Sequence, residues 1–290
     1  MLPSSDIESF RGALASAKSI VILAGAGLSA ASGIPTYRDA DGLWRTNSIE
    51  EVASIEGFKN NPSRVWQFYH QRRELCLGSQ PNPAHQALAS LADPSVLSRI
   101  APSLKDTSLP PLLITQNIDD LSRRALDILP ASAKKAAEER FLEMHGSLFV
   151  TRCTSCQHSQ RTYTSPLCTA LGNSEERDIP VDQLPRCGGE TWAGSNRYGR
   201  CGGLLRPAVI WFGEVPDHMG EIARVLNWCD LLLVVGTSSR VYPAAGFASS
   251  VKMHGGKVAV FNLERSNGDD DADFLFLGPC VETLPHVLGL

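Results

Sequence analysis

The stretch Ser19-Ile-Val-Ile-Leu-Ala24-Gly25-Ala26-Gly27-Leu28-Ser29-Ala30 decides the fold. A short, unbroken apolar run that stops at glycine has the pattern of a strand buried on both faces of a parallel sheet. The Gly25-Ala26-Gly27-Leu-Ser29-Ala30 turn after it matches G-x-G-x-x-A, where glycines let backbone approach a pyrophosphate. A glycine turn without a ligand is the other reading of so short a motif.

Three further runs have the same character: Leu112–Thr115, Asp230–Val235 and Lys257–Phe261. They close in Gln116-Asn117-Ile118-Asp119, Gly236-Thr237-Ser238-Ser239 and Asn262-Leu263-Glu264. Helical patterns at Ser5–Ala17, Pro62–Cys76, Pro83–Ala92, Asp120–Leu129 and Asp217–Asn227 alternate with the strands. Such alternation predicts a Rossmann-like α/β fold, a doubly wound parallel sheet whose strand ends line one crevice. The acidic residue that closes the second strand of hydride-transfer dehydrogenases is not evident, so those enzymes fit poorly. In its place Ser32-Gly-Ile-Pro-Thr36-Tyr37-Arg38-Asp39 and Gly42-Leu-Trp44 form a polar, aromatic loop suited to closing over a cofactor.

Of 290 residues, 43% are hydrophobic and 20% charged, the balance of a folded protein. The expected division is residues 1–146 and 207–290 as the nucleotide-binding domain, with a helical insertion at about 38–80, and 147–206 as a small metal-binding module. With 27 basic and 31 acidic residues the net charge of -4 argues against a nucleic-acid binder. Apolar runs such as Leu231–Val235 fall short of the ~20 residues that cross a bilayer. The first residues carry neither a secretory signal nor an Arg-rich transit helix, so an intracellular address is expected. Gly268-Asp-Asp-Asp271 reads as a solvated acidic loop.

Eight cysteines are too sparse for a disulfide scaffold. Cys153-Thr-Ser-Cys156 has the spacing for two thiolates on one tetrahedral zinc, and Cys187 and Cys201 can supply the other pair. Thirty residues separate Cys156 from Cys187 and 13 separate Cys187 from Cys201, so Cys168 competes for the third place. A redox pair is the rival reading. Four thiolates leave no open position, which makes the zinc structural. Cys76, Cys229 and Cys280 read as buried thiols, with Cys280 near the adenine side of the crevice.

On Pro62–Cys76, residues 65, 68, 69, 75 and 76 form an apolar stripe that contains Arg72. A guanidinium on a buried face calls for an anion, and Tyr69, three residues earlier, faces the same way with a hydroxyl. Snorkelling to water, or pairing with Glu74 or Glu56, fits the spacing equally.

Gly25-Ala-Gly-Leu-Ser-Ala-Ala-Ser-Gly-Ile-Pro-Thr-Tyr-Arg38, Thr115-Gln-Asn-Ile-Asp119 and His145-Gly146 resemble the three signature motifs of the sirtuins, with Cys-x-x-Cys and Gly236-Thr-Ser-Ser following in order. The resemblance runs from Ser19 to Cys280; the long Cys187–Cys201 spacing departs from it. It implies an NAD-dependent enzyme that removes acyl groups from protein lysines. The acyl oxygen would attack the ribose carbon bearing nicotinamide. His145 would then act as general base on a ribose hydroxyl, giving nicotinamide, free lysine and O-acyl-ADP-ribose. Asn117 and Asp119 would share the catalytic work. The cofactor would contact Gly25, Ala26, Gly27, Ser29, Ala30, Thr36, Tyr37, Arg38, Trp44, Gln116, Asn117, Ile118, Asp119, Gly236, Thr237, Ser238, Asn262, Glu264 and Cys280.

Tyr69-x-x-Arg72 is similar to the mark of class III sirtuins, which implies succinyl, malonyl and glutaryl lysine as substrates ahead of acetyl lysine. Val209, Ile210, Phe212, Gly213 and Glu214 would pair with the target peptide by strand addition, and Val241 and Tyr242 would flank the lysine channel. The expected partners are acyl-lysine proteins met by a monomer, in the mitochondrial matrix, the cytosol or both. Plain deacetylation, mono-ADP-ribosyl transfer and a non-enzymatic NAD-sensing zinc module are the alternatives.

Overall fold

The computed structural model describes residues 2–36, 49–104, 106–173, 178–189, 201–267 and 269–290. Nine strands are named in chain order: β1 Ile20–Ala24, β2 Leu112–Thr115, β3 Phe141–Glu143, β4 Gly146–Cys153, β5 Ser159–Arg161, β6 Leu205–Val209, β7 Leu231–Val235, β8 Lys257–Asn262 and β9 Phe274–Leu277. Six of them form one parallel sheet in the order β3-β2-β1-β7-β8-β9.

Both faces of that sheet are covered, which is why its inner strands read as continuous apolar runs. In β1, Ile22 and Ala24 enter a core with Phe10 and Leu14 of the Ile7–Ser16 helix, Leu88 of Pro83–Ser90 and Leu284 of Cys280–Leu288. Val21 and Leu23 enter the opposite core, with Ile222 and Leu226 of Met219–Leu226 and Val251 of Phe247–Met253. Phe10 meets Phe261, Phe274 and Phe276 edge-on at 5.8, 5.6 and 5.4 Å.

The four expected strands are present as β1, β2, β7 and β8; the edge strands β3 and β9 add to them. The expected Asp120–Leu129 helix is one α-turn, Leu121–Arg124, followed by a tighter 3-10 turn, Ala125–Ile128.

A second, antiparallel sheet of order β5-β4-β6 carries the cysteine-rich stretch. That stretch has an apolar core as well as its cysteines: Leu148, Phe149, Leu167, Leu171, Leu184 and Leu205 pack against Val65, Trp66, Phe68 and Tyr69 of the Pro62–Gly78 helix. Leucines scattered over short strands and loops show no periodicity, so the shared core was invisible until the helix supplied its other half. Trp66 Nε1 donates to the Leu205 carbonyl at 2.8 Å. Arg73, 1% exposed, donates to the carbonyls of Leu148, Thr162 and Thr164 and lies over the Phe149 ring.

The acidic loop is also not simply solvated. Asp269 is buried, and its carboxylate accepts from the Ser266 backbone N–H at 2.8 Å and hydroxyl at 3.0 Å. Among the described residues no helix is long and apolar enough to cross a membrane.

Candidate active site

Strands β1, β2 and β3 are laid down in one direction, and β7 returns to the other side of β1. The carboxyl ends of β1 and β7 therefore flank the topological switch point where open α/β sheets bind ligands. Gly25 N–H donates to Val235 O at 2.8 Å and Gly27 N–H to Gly236 O at 2.7 Å. A Cβ on Gly25 would come within 2.7 Å of both the Gly236 oxygen and the Thr237 Cβ. These glycines are needed first to seat two loops against each other; the expectation had assigned their space to a pyrophosphate. The helix after them, Gly27–Ala30, is a single turn.

Onto this pair of loops the end of β2 is fastened. Gln116 Nε2 donates to Thr237 Oγ1 at 3.2 Å, and Asn117 Nδ2 donates to Gly25 O at 3.0 Å and to Ser29 Oγ at 3.2 Å. Asn262 Nδ2 donates to Thr237 O at 2.7 Å, and Cys280 Sγ contacts Gly27 O at 3.4 Å. Thus Gly25, Gly27, Ser29, Gln116, Asn117, Gly236, Thr237, Asn262 and Cys280 come together at one sheet edge. Ala26, Thr36, Ile118 and Ser238 are half-buried beside their neighbours in sequence, while Ala30 and Glu264 are exposed. Tyr37, Arg38 and Trp44 lie outside the described residues.

His145 follows β3, half-buried, with Nδ1 3.0 Å from the Gln116 carbonyl oxygen. A carbonyl can only accept, so Nδ1 carries the proton and Nε2 of the neutral ring keeps its lone pair. Burial lowers the His145 pKa, and the Gln116 contact offsets only part of that shift. The ring is therefore a neutral base at neutral pH. Gly146 is obligatory: its φ is +73°, and a Cβ would meet the Ala208 oxygen at 2.0 Å.

Asp119 is 5% exposed. Its Oδ1 accepts the Leu121 N–H at 2.9 Å at the start of the following turn, and the Ser29 hydroxyl bonds the same carboxylate. Burial raises its pKa, opposed by those bonds and by the charges of Arg72 and Arg124.

One residue of this cluster escaped the sequence reading. His85, 1% exposed, lies 3.3 Å through Nε2 from Ser29 Oγ. Its Nδ1 accepts the Asn82 backbone N–H at 3.3 Å, so Nε2 is the protonated nitrogen and donates to Ser29. Burial pushes the ring pKa down to about 3. The available signal was Asn82-Pro83-Ala84-His85, a helix start whose capping box uses histidine where glutamate or glutamine is usual.

Beyond β6 the chain passes in front of the Pro62–Gly78 helix. Trp211 Nε1 donates to Tyr69 Oη at 3.0 Å, and both residues are buried. Arg72 is 5% exposed, with its guanidinium 5.7 Å from the Phe68 ring centroid and within electrostatic reach of Asp119. Val209 is buried, Ile210 half-buried, and Phe212 and Gly213 exposed. Much of this segment's backbone is already engaged: Ile210 N–H donates to His145 O, Phe212 N–H to Ala53 O and Trp211 N–H to Glu214 Oε2. Glu214 also takes Arg206 through both oxygens at 2.7 and 2.9 Å, and Arg206 stacks 3.5 Å from the Trp211 ring centroid. Burial would raise the Glu214 pKa, but the bonds from Arg206 and Trp211 outweigh it and hold the carboxyl below its usual value. Glu214 therefore shapes the segment, where direct substrate contact had been expected. Val241 and Tyr242 are exposed.

The sulfur atoms of Cys153, Cys156, Cys187 and Cys201 all lie within 4.8 Å of one another. A tetrahedral Zn²⁺ with ~2.3 Å bonds sets its thiolates about 3.8 Å apart, and the contacts of 3.4, 3.8 and 3.5 Å match that scale. Cys187 and not Cys168 completes the cluster. Burial pushes the Cys187 thiol up to about 12, while the His158 backbone draws Cys156 down to about 7. Four thiols in contact cannot all ionise without a cation, so the donor set fits zinc.

A profile of the Sir2 family matches residues 25–243. The chain is 44% identical over 296 residues to the mitochondrial NAD-dependent protein deacylase sirtuin-5A of Xenopus laevis, covering 99% of this chain and 86% of that protein. It is 43% identical over 298 residues to an NAD-dependent protein deacylase of Daphnia pulex, covering 100% and 98%. The crystal structure of a Sir2 homologue in complex with NAD superposes with a TM-score of 0.76 at 34% identity, covering 100% of this chain and 95% of that one.

Proposed function

The chain belongs to the Sir2 family, and from that membership and the site's geometry we infer that it is an NAD-dependent protein-lysine deacylase that favours acidic acyl groups. The observation that carries the inference is His145, oriented by the Gln116 carbonyl with a basic Nε2, on the same loop system as Asn117 and Asp119. NAD, when bound, supplies a ribose carbon whose bond to nicotinamide breaks. The interlocked glycine loops and the amides of Gln116 and Asn117 offer the polar cradle such a dinucleotide needs. His145 Nε2 would take a proton from a ribose hydroxyl, and Asp119 and Ser29 would hold Asn117 in place. Zinc, held by Cys153, Cys156, Cys187 and Cys201, would brace the small sheet without entering the chemistry.

The acyl preference rests on Arg72 and Tyr69, buried side by side one helical turn apart. A succinyl, malonyl or glutaryl carboxylate brings a charge that matches Arg72; an acetyl group does not. Arg72→Met should lower kcat/KM for a succinyl-lysine peptide by about a hundredfold, the scale for losing one member of a buried charge pair. Deacetylation should fall only a few-fold, because Asp119 keeps the charge of Arg124. Equal losses on both peptides would overturn the acidic preference. Acylated lysines of proteins are the partners, in line with relatives named protein deacylases, and the mitochondrion is the compartment, in line with the Xenopus relative named mitochondrial.

A further inference from the structure

Arg161 ends β5 in the small sheet, but its guanidinium does not stay there. Nη1 donates to Asp120 Oδ1 and lies 3.3 Å from Ser147 Oγ; Nη2 donates to Glu143 Oε2. Asp120 is the residue after Asp119, while Glu143 and Ser147 stand two residues before and after His145. One side chain from the cysteine module thus grips both segments that carry the reacting groups of the proposed function.

The grip is demanding. The Asp120 side chain is fully buried and its backbone has a φ of +67°, a left-handed conformation that costs a non-glycine residue about 1 kcal/mol or more. Tyr163 Oη donates to Asp120 Oδ2 at 2.8 Å, and Arg123 reaches Glu143 at 3.0 Å. The two carboxylates repel; Arg161 hydrogen-bonds both, and Arg123 pairs with both at longer range, 3.7 Å from Asp120 Oδ1 and 3.0 Å from Glu143 Oε2.

We propose that Arg161 is a positioning residue that holds the Gln116–Asp119 and His145 segments in register, so that the small sheet sets the geometry of the reacting groups. The proposal rests on the assignment of those two segments as the reacting ones. It predicts a loss in kcat with little change in KM, because Arg161 is placed to orient these groups and not to bind either substrate.

The test is steady-state turnover of NAD and succinyl-lysine peptide by wild type, Arg161→Gln, Arg161→Lys and Arg161→Gln/Asp120→Asn, with zinc content measured for each. Arg161→Gln should lower kcat tenfold or more, with both KM values within twofold and one zinc per chain retained. Arg161→Lys should lose at least threefold, since one ammonium cannot bond two carboxylates in the parallel geometry of a guanidinium. Removing the Asp120 charge, which Arg123 alone would then offset from 3.7 Å, should recover part of the loss in the double variant. Wild-type kcat in Arg161→Gln would overturn the proposal, as would a loss confined to KM. If Arg161→Gln does not fold, wild-type kcat in Arg161→Lys overturns it. Failure of the deacylase reading is a separate result, because wild type itself would then release no nicotinamide.

Discussion

Replacing His85 by Gln should remove a specific part of the protein's acid sensitivity. The folded-state ring titrates near 3 because it is buried, against about 6.5 in the unfolded chain. With the folded value depressed, the unfolded state takes up the proton first. The stability tied to the neutral ring is complete above about pH 7.5 and is lost as pH falls from about 6.5 toward 3. At pH 5 the unfolded chain has gained 1.5 pH units' worth of protonation and the folded chain almost none, so wild type should have lost about 2 kcal/mol through this group. Any folded value below about 4 gives the same figure. Asp119 and Asp120, whose pKa values burial raises, work in the opposite direction, but they are common to both proteins and cancel in the difference. The assay is isothermal urea denaturation of wild type and His85→Gln at pH 8 and pH 5. Wild type should lose about 2 kcal/mol more than the variant across that interval. Parallel losses would refute the neutral, Nε2-protonated ring, and with it the donor assigned to Ser29.

His145→Ala should abolish formation of free lysine and O-acyl-ADP-ribose, the steps that follow departure of nicotinamide, and the acid limb of kcat/KM in wild type should have its midpoint below 6.5, since burial favours the neutral ring; a midpoint above 7 would reassign the base. Elemental analysis should find about one zinc per chain, kept by Cys168→Ala and lost by Cys187→Ala together with a lower melting temperature; the opposite pattern would exchange the two cysteines. Glu214→Ala should destabilise the protein by about 1–3 kcal/mol through the lost charged bonds to Arg206 and raise KM for the acyl peptide more than it lowers kcat; an unchanged KM would detach Glu214 from the peptide segment.

The sheet was legible because β1, β2, β7 and β8 are covered on both faces, and burial on both faces leaves an uninterrupted apolar signature. The edge strand β3, three residues long, carries too little pattern to be read, and β9 is a second short strand at the opposite edge. The cluster around His145 was legible as separate motifs, because each ends a strand and such ends converge. What joins them was not. Ser29 to His85, Gly25 to Thr237 and Arg161 to Glu143 are contacts between residues far apart in sequence, and no local periodicity encodes them.

Arg72 and Arg73 show the same limit at adjacent positions. Both guanidiniums are buried, and their order along the chain does not say which serves the fold. A helix turns about 100° between neighbours, so the two must face different surroundings. Arg73 meets three backbone carbonyls and a phenyl face, neutral acceptors that engage both of its Nη atoms and tie the helix to β4. Arg72 meets Phe68 and the field of Asp119, a carboxyl that burial drives toward its neutral form. Arg72 thus lies in a charged setting where Arg73 lies in a neutral one. That asymmetry, more than the presence of arginine on the helix, argues for a carboxylate at the tip of the acyl chain.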